Sequence, residues 1–130
     1  MPKKILIVDD EPIIVRLVES RLKASGYDVI SASDGQEALN TARAEKPDLI
    51  ILDIMLPKMD GYRVCRLLKL DDNFRQIPII MFSARVQGED QEKGMAAGAE
   101  AYLTKPFNPA TFMNKIKELL KEQPAPSDSH

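Results

Sequence analysis

The stretch ILIVDDEP, residues 5–12, decides how this chain folds. Four apolar residues run without interruption into three acids, Asp9, Asp10 and Glu11. A continuous apolar run fits a strand buried on both faces, as in a parallel sheet covered by helices. The acids that follow repel one another, and each raises the cost of ionising the next. Open water, a cation or a basic side chain folded over them has to offset that repulsion.

Four more apolar runs follow, at residues 28–32, 48–55, 78–84 and 101–104. Two of them, LIILDIM and IPIIMFSA, are again continuous. Between the runs the spacing turns helical. Ile14, Leu17, Val18, Arg21 and Leu22 form one stripe, with Gly26 placed as a stop. Asp34-Gly35 opens a second stretch through Ala38, Leu39 and Ala42, and Asp60-Gly61 a third through Val64, Leu67 and Leu68. A fourth spans about residues 88–97 and stops at Gly98; a fifth starts with Asn108 as cap and Pro109 at the first helical position. Its apolar stripe is Phe112, Ile116, Leu119 and Leu120. The order βαβαβαβαβα predicts one doubly wound α/β domain with right-handed crossovers. It is expected to occupy residues 1–122, with the polar, Pro-rich QPAPSDSH at 123–130 as a disordered tail or the start of a linker.

Composition narrows the function. At 130 residues with 44% hydrophobic and 29% charged, the chain has the make-up of a soluble globular domain. A net charge of -2 gives no global field to recruit nucleic acid or an acidic membrane. Cys65 is the only cysteine, which excludes an internal disulfide, and it reads as a passive helix residue. The only histidine is His130, so a histidine-based catalytic centre is not expected. With no run long enough to span a bilayer and no secretory signal before ILIV, the expected location is the cytoplasm.

In an open α/β sheet, ligands bind outside the carboxyl ends of the strands. Those ends carry Asp9 and Asp10 after the first run, Asp53 on the third, Ser83 on the fourth and Lys105 after the fifth. Each alone is as easily a turn former, a helix cap or a solvated loop residue. Together they would put three carboxylates, a hydroxyl and an ammonium in one cleft. Hard oxygen ligands in a cluster suit Mg²⁺, which offsets the repulsion. Asp53 could then act as a nucleophile towards phosphorus, with Lys105 and Ser83 on the phosphoryl oxygens.

The motifs ILIVDDEP, DLIILDIMLPKMDG, PIIMFSA and GAEAYLTKPF occur in the order found in the receiver domain of two-component response regulators, and the chain resembles that family over about residues 3–122. The resemblance implies a flavodoxin-like five-stranded sheet of order 2-1-3-4-5 with five helices. It implies that Asp53 is the phosphoacceptor and that Asp10 and Asp53 ligate Mg²⁺ (or Mn²⁺) directly, with the Met55 backbone carbonyl. By the same resemblance Asp9 matches the acid that usually holds metal-bound water. Ser83 matches the switch hydroxyl, Lys105 the phosphate-binding lysine, and Tyr102 the aromatic switch position, otherwise a half-buried strand tyrosine. The Lys105-Pro106 bond is commonly cis in the family. Gly61 matches a turn glycine, otherwise simple loop geometry. Met55 and Arg85 match the two positions that tune attack by water; neither can orient a water, so a long-lived phosphoryl group is expected.

The implied function is that of a phosphorylation-activated response regulator receiver, not an enzyme beyond assisting its own phosphorylation and dephosphorylation. A histidine kinase or phosphotransfer protein donates to Asp53. The switch acts on a downstream protein through the fourth helix, fifth strand and fifth helix, in a monomer or a phosphorylation-dependent dimer, with no direct nucleic-acid or membrane binding. The alternative is a receiver fragment of a longer regulator with a DNA-binding or enzymatic output domain. Lys93, Glu100 and Lys115 lie in the area through which winged-helix transcription factors pair, but Gln91 and Ala101 stand where those carry charges, which leans away from that subclass. A remote alternative is an aspartyl-phosphate phosphatase. Such enzymes carry their nucleophile in a D-x-D motif after the first strand, where this chain has Asp9-Asp10.

Overall fold

The computed structural model describes residues 2–84, 92, 93, 95–105 and 108–121. Five parallel strands form one sheet in the order β2-β1-β3-β4-β5. They are β1 (Lys4–Val8), β2 (Asp28–Ala32), β3 (Leu49–Leu52), β4 (Ile79–Ser83) and β5 (Ala101–Thr104). Four helices are delimited among the described residues: α1 (Pro12–Ala24), α2 (Gly35–Glu45), α3 (Gly61–Lys69) and α4 (Pro109–Leu119). The expected count was five. Residues 92, 93, 95 and 96 of the expected fourth stretch are helical, and the rest of it lies largely outside the described residues, as do Arg85, Pro106 and the 123–130 segment.

The continuous runs are buried on both faces because successive side chains enter different cores. Ile5 and Ile7 of β1, Leu49 and Ile51 of β3, and Ile80 and Phe82 of β4 pack with α1 and α4. Leu6, Val8, Ile50, Leu52, Ile79 and Met81 point the other way, against α2 and α3. Val18 and Leu22 of α1 and Phe112 and Ile116 of α4 are the buried helix residues of the first core. Leu17, expected in the α1 stripe, is 54% exposed. Its neighbours Val18 and Leu22 already fill the contact with the sheet, which leaves Leu17 on the solvent side of the stripe.

The helix starts follow the local chemistry. Asp34 Oδ1 accepts from Glu37 N–H at 2.8 Å, and Asp60 Oδ1 from Arg63 N–H at 3.0 Å. Asn108 Oδ1 accepts from the N–H groups of Ala110 and Thr111. Each side chain satisfies helix-terminal donors that have no partner within the helix. α1 ends at Ala24, and Gly26 takes φ +92, a left-handed conformation that suits a residue without Cβ. Cys65 is fully buried on α3, and burial pushes its thiol up to about 12, consistent with a passive role.

Candidate phosphoacceptor and metal site

Register brings the site residues level. Val8 stands opposite both Ala32 and Leu52, Leu52 opposite Met81, and Ser83 opposite Thr104. The ladder then runs one residue past each strand. Asp9 N–H donates to Ala32 O at 3.1 Å, Asp53 N–H to Val8 O at 3.0 Å, and Lys105 N–H to Ser83 O at 2.8 Å. Asp9, Asp53 and Lys105 are thus each fixed to the strand beside them at the carboxyl edge of the sheet. Asp53 sits just beyond β3 rather than inside a strand reaching residue 55. Its own Oδ1 accepts from Met55 N–H at 3.4 Å, an Asx-type contact at the turn where the chain leaves the sheet.

The expected convergence is present for the acids and the lysine. Asp9, Asp10, Glu11 and Asp53 each offer a carboxylate oxygen within 4.8 Å of the others. Lys105 Nζ lies 2.6 Å from Asp9 Oδ2, 3.4 Å from Asp53 Oδ2 and 3.4 Å from Glu11 Oε1. Asp9 Oδ1 also accepts from Glu11 N–H at 3.0 Å. Asp9 is 1% exposed and Asp53 5%, whereas Asp10 and Glu11 are open to solvent. Ser83 is buried at the end of β4, and Tyr102 is half-buried on β5 against the core shared with α2 and α3. Met55 is 58% exposed at the mouth of the 54–60 loop.

Glu11 was missed as a site residue. Its position next to Asp10 was visible in the sequence, but its reach to Lys105, 94 residues away, depends on where β5 ends. The lysine also lies over the Phe82 ring, 5.5 Å from its centroid, a cation–π contact that steers its stem across the cleft.

Burial first, and the neighbouring charge of Asp9 second, hold the Asp53 carboxyl above the usual carboxylate range; Lys105 and the Met55 amide only partly oppose this. Burial would lower Lys105, but its hydrogen bond to Asp9 and the charges of Asp53 and Asp9 outweigh it, so its ammonium is held above the ordinary value. An acid raised on folding favours the folded state below its unfolded value, and that contribution is lost as pH rises through the raised value. At neutral pH without metal, ionised Asp53 is therefore a net cost. Asp53→Asn is expected to raise the melting temperature by about 3–5 °C under those conditions, roughly 1 kcal/mol for a domain of this size. The gain should shrink as pH falls towards the ordinary Asp range near ~4. Calorimetry across that interval checks it; a lower melting temperature at neutral pH would reverse the sign.

The donor set fits a hard divalent cation. All four side-chain donors are carboxylates, two of them open to water, as suits an ion that keeps part of its hydration shell.

A family model described as response regulator receiver domain matches residues 5–117. The chain belongs to the response regulator receiver family. It is 50% identical over 129 residues to the alkaline phosphatase synthesis transcriptional regulatory protein PhoP of Bacillus subtilis, covering 98% of this chain and 53% of PhoP. The receiver thus spans about half the length of that relative. A putative response regulator from Chloroflexus aurantiacus superposes with a TM-score of 0.90 at 34% identity, covering 94% of this chain and all of the other. The receiver domain of the sensor histidine kinase PA1611 from Pseudomonas aeruginosa, with a magnesium ion coordinated in its active site cleft, gives 0.87 at 32% identity, covering 94% and 100%. These likenesses agree with the flavodoxin-like fold and leave the phosphatase reading without support.

Proposed function

We propose that this receiver takes a phosphoryl group on Asp53 from a histidine kinase or a phosphotransfer protein and passes the change to a downstream protein. The observation that carries this is the Lys105 ammonium held between Asp9 and Asp53 beside a cluster of four carboxylates. An Asp53 carboxylate oxygen bonds to phosphorus as the donor's P–N bond, or the P–O bond of an acyl phosphate, breaks. The leaving group keeps the electron pair: an imidazole nitrogen then takes a proton from water, and a carboxylate departs as the anion. Lys105 turns from its carboxylate partners to the phosphoryl oxygens, and Ser83 donates to another of them. Asp10, Asp53 and the Met55 carbonyl would hold Mg²⁺ directly, and Asp9 through water. A bound Mg²⁺ supplies charge neutralisation at the transferring oxygens; the magnesium in the PA1611 receiver supports that assignment.

Phosphorylation draws Ser83 towards the added charge, and Tyr102 follows into the space it leaves. The surface formed by the expected fourth helix, β5 and α4 then favours its second arrangement. Met55 and Arg85 leave attacking water without a polar guide, which favours a long-lived phosphoryl group. The unit acts in the cytoplasm and folds over residues 1–122; no described helix is long and apolar enough to cross a membrane. The likeness to a transcriptional regulator twice as long weighs against the inference drawn from Gln91 and Ala101. Glu100 also bonds within its own chain, to Lys69 Nζ at 2.8 Å and Ile79 N–H at 2.7 Å.

The test is intact-protein mass after incubation with acetyl phosphate and Mg²⁺. The expected result is one phosphate-sized gain in the wild type, absent from Asp53→Asn and lost with chelator. Stoichiometric gain in Asp53→Asn would sink the assignment.

A further inference from the structure

The 54–60 loop between β3 and α3 supplies the backbone beside Asp53, yet it is held from a distance, by the start of α2. A Cβ on Gly35 would lie 2.2 Å from Met59 O and 2.7 Å from Met59 Cβ, so the α2 backbone runs directly against this loop. Gly35 N–H donates to Pro57 O at 3.3 Å. Asp34, whose Oδ1 caps α2, places Oδ2 3.6 Å from Lys58 Nζ. Three consecutive loop residues, Pro57, Lys58 and Met59, are therefore met by the first residue of α2 and its cap.

The loop has little slack to absorb a change there. Leu56 N–H donates to Ile54 O at 3.1 Å and Met59 N–H to Pro57 O at 2.7 Å, while Lys58 takes φ +68. A lysine in that left-handed region is strained by about 1 kcal/mol and stays there only because its surroundings hold it. At the near end, Met55 N–H touches the Asp53 carboxylate itself. Successive tight turns connect the α2 grip to the acceptor through a four-residue chain, 56–59.

We propose that Asp34 and Gly35 are positioning residues for the phosphoacceptor site: they fix the loop backbone so that the peptide at Met55 stays beside Asp53. The inference rests on the reading of the cleft as a divalent-cation site, and it extends that site to α2, whose residues contribute no ligand. It also gives a reason for glycine at a helix start whose φ is not left-handed. In a helix, alanine is ordinarily favoured over glycine by about 1 kcal/mol, but here a methyl group would meet a backbone carbonyl.

Titration of the wild type with Mg²⁺, read by backbone amide shifts, tests it without any substitution. The Gly35 and Met59 amides are expected to move along the same binding curve as Asp53, while Gly26 stays still. Gly35→Ala is expected to bind Mg²⁺ about tenfold more weakly by calorimetry, as for residues that orient metal ligands from outside. Gly26→Ala is the control: it strains a φ of +92 with nothing within 4 Å, so it should lose stability and keep the wild-type affinity. A Gly35 amide that stays fixed while Asp53 moves, or a folded Gly35→Ala that binds Mg²⁺ as the wild type does, would overturn the proposal. If Gly35→Ala does not fold, the wild-type titration decides. A wild type that binds no Mg²⁺ would overturn the cleft reading itself, and this inference with it.

Discussion

Replacing Lys105 with methionine is expected to lower the melting temperature by about 10 °C in metal-free buffer, and millimolar Mg²⁺ is expected to recover most of that loss. The side chains of Lys105, Asp9 and Asp53 are 9%, 0% and 7% exposed. Removing the ammonium leaves two buried carboxylates facing each other with no counter-charge. Breaking a buried pair from one side costs about 3–5 kcal/mol, because the remaining charge has no water to replace its partner. Methionine keeps an apolar stem over the Phe82 ring, so the loss reports charge rather than packing. A cation in the carboxylate cluster supplies the missing charge, which a packing defect could not exploit. On the proposed mechanism Lys105 contacts the transferring group, so phosphoryl incorporation should stay about 10²-fold slower even with Mg²⁺. Calorimetry with and without Mg²⁺, beside a timed mass measurement, checks both parts. An unchanged melting temperature would mean that the ion pairs carry no net stability.

The second large effect is expected at Gly61. Its Cβ would lie 2.2 Å from Asp53 O and 2.9 Å from Ile54 Cα, and its N–H already donates to Ile54 O at 2.8 Å. The first residue of α3 is thus packed on the peptide of Asp53. Gly61→Ala has to push that peptide away, and β3 on the other side is paired and fully buried. The expected loss is about 3 kcal/mol or more, the scale of overpacking in a site that cannot relax. Urea denaturation measures it directly. A neutral result, or the small gain ordinary for Gly→Ala in a helix, would mean the loop yields easily and does not constrain Asp53.

Much of this was legible in the sequence because the informative contacts are local or periodic. Continuous runs at residues 5–8 and 49–52 fit strands with both faces covered, and two cores take their alternate side chains. Asp34, Asp60 and Asn108 cap their own helices, a contact of two or three residues' reach. Asp9, Asp53 and Lys105 each follow a strand, so sheet register alone brings them together. Contacts without a local rule were not legible. Glu11 meets Lys105 across 94 residues, and Lys69 meets Glu100 across 31. Gly35 read only as the opening of a helix and Gly61 as a turn glycine, because nothing in a sequence tells how closely a distant backbone approaches. Leu17 fitted the α1 stripe by spacing, but Val18 and Leu22 had already filled the contact.

The most direct test of the central claim is to locate the phosphoryl group chemically. An acyl phosphate is reduced by borohydride to an alcohol, so a phosphorylated aspartate becomes homoserine, and peptide sequencing by mass spectrometry then reports the position. The account predicts homoserine at residue 53 alone, only after treatment with phosphodonor and Mg²⁺. Conversion at Asp9 or Asp10 instead, or a phosphate gain that leaves residue 53 intact, would contradict it.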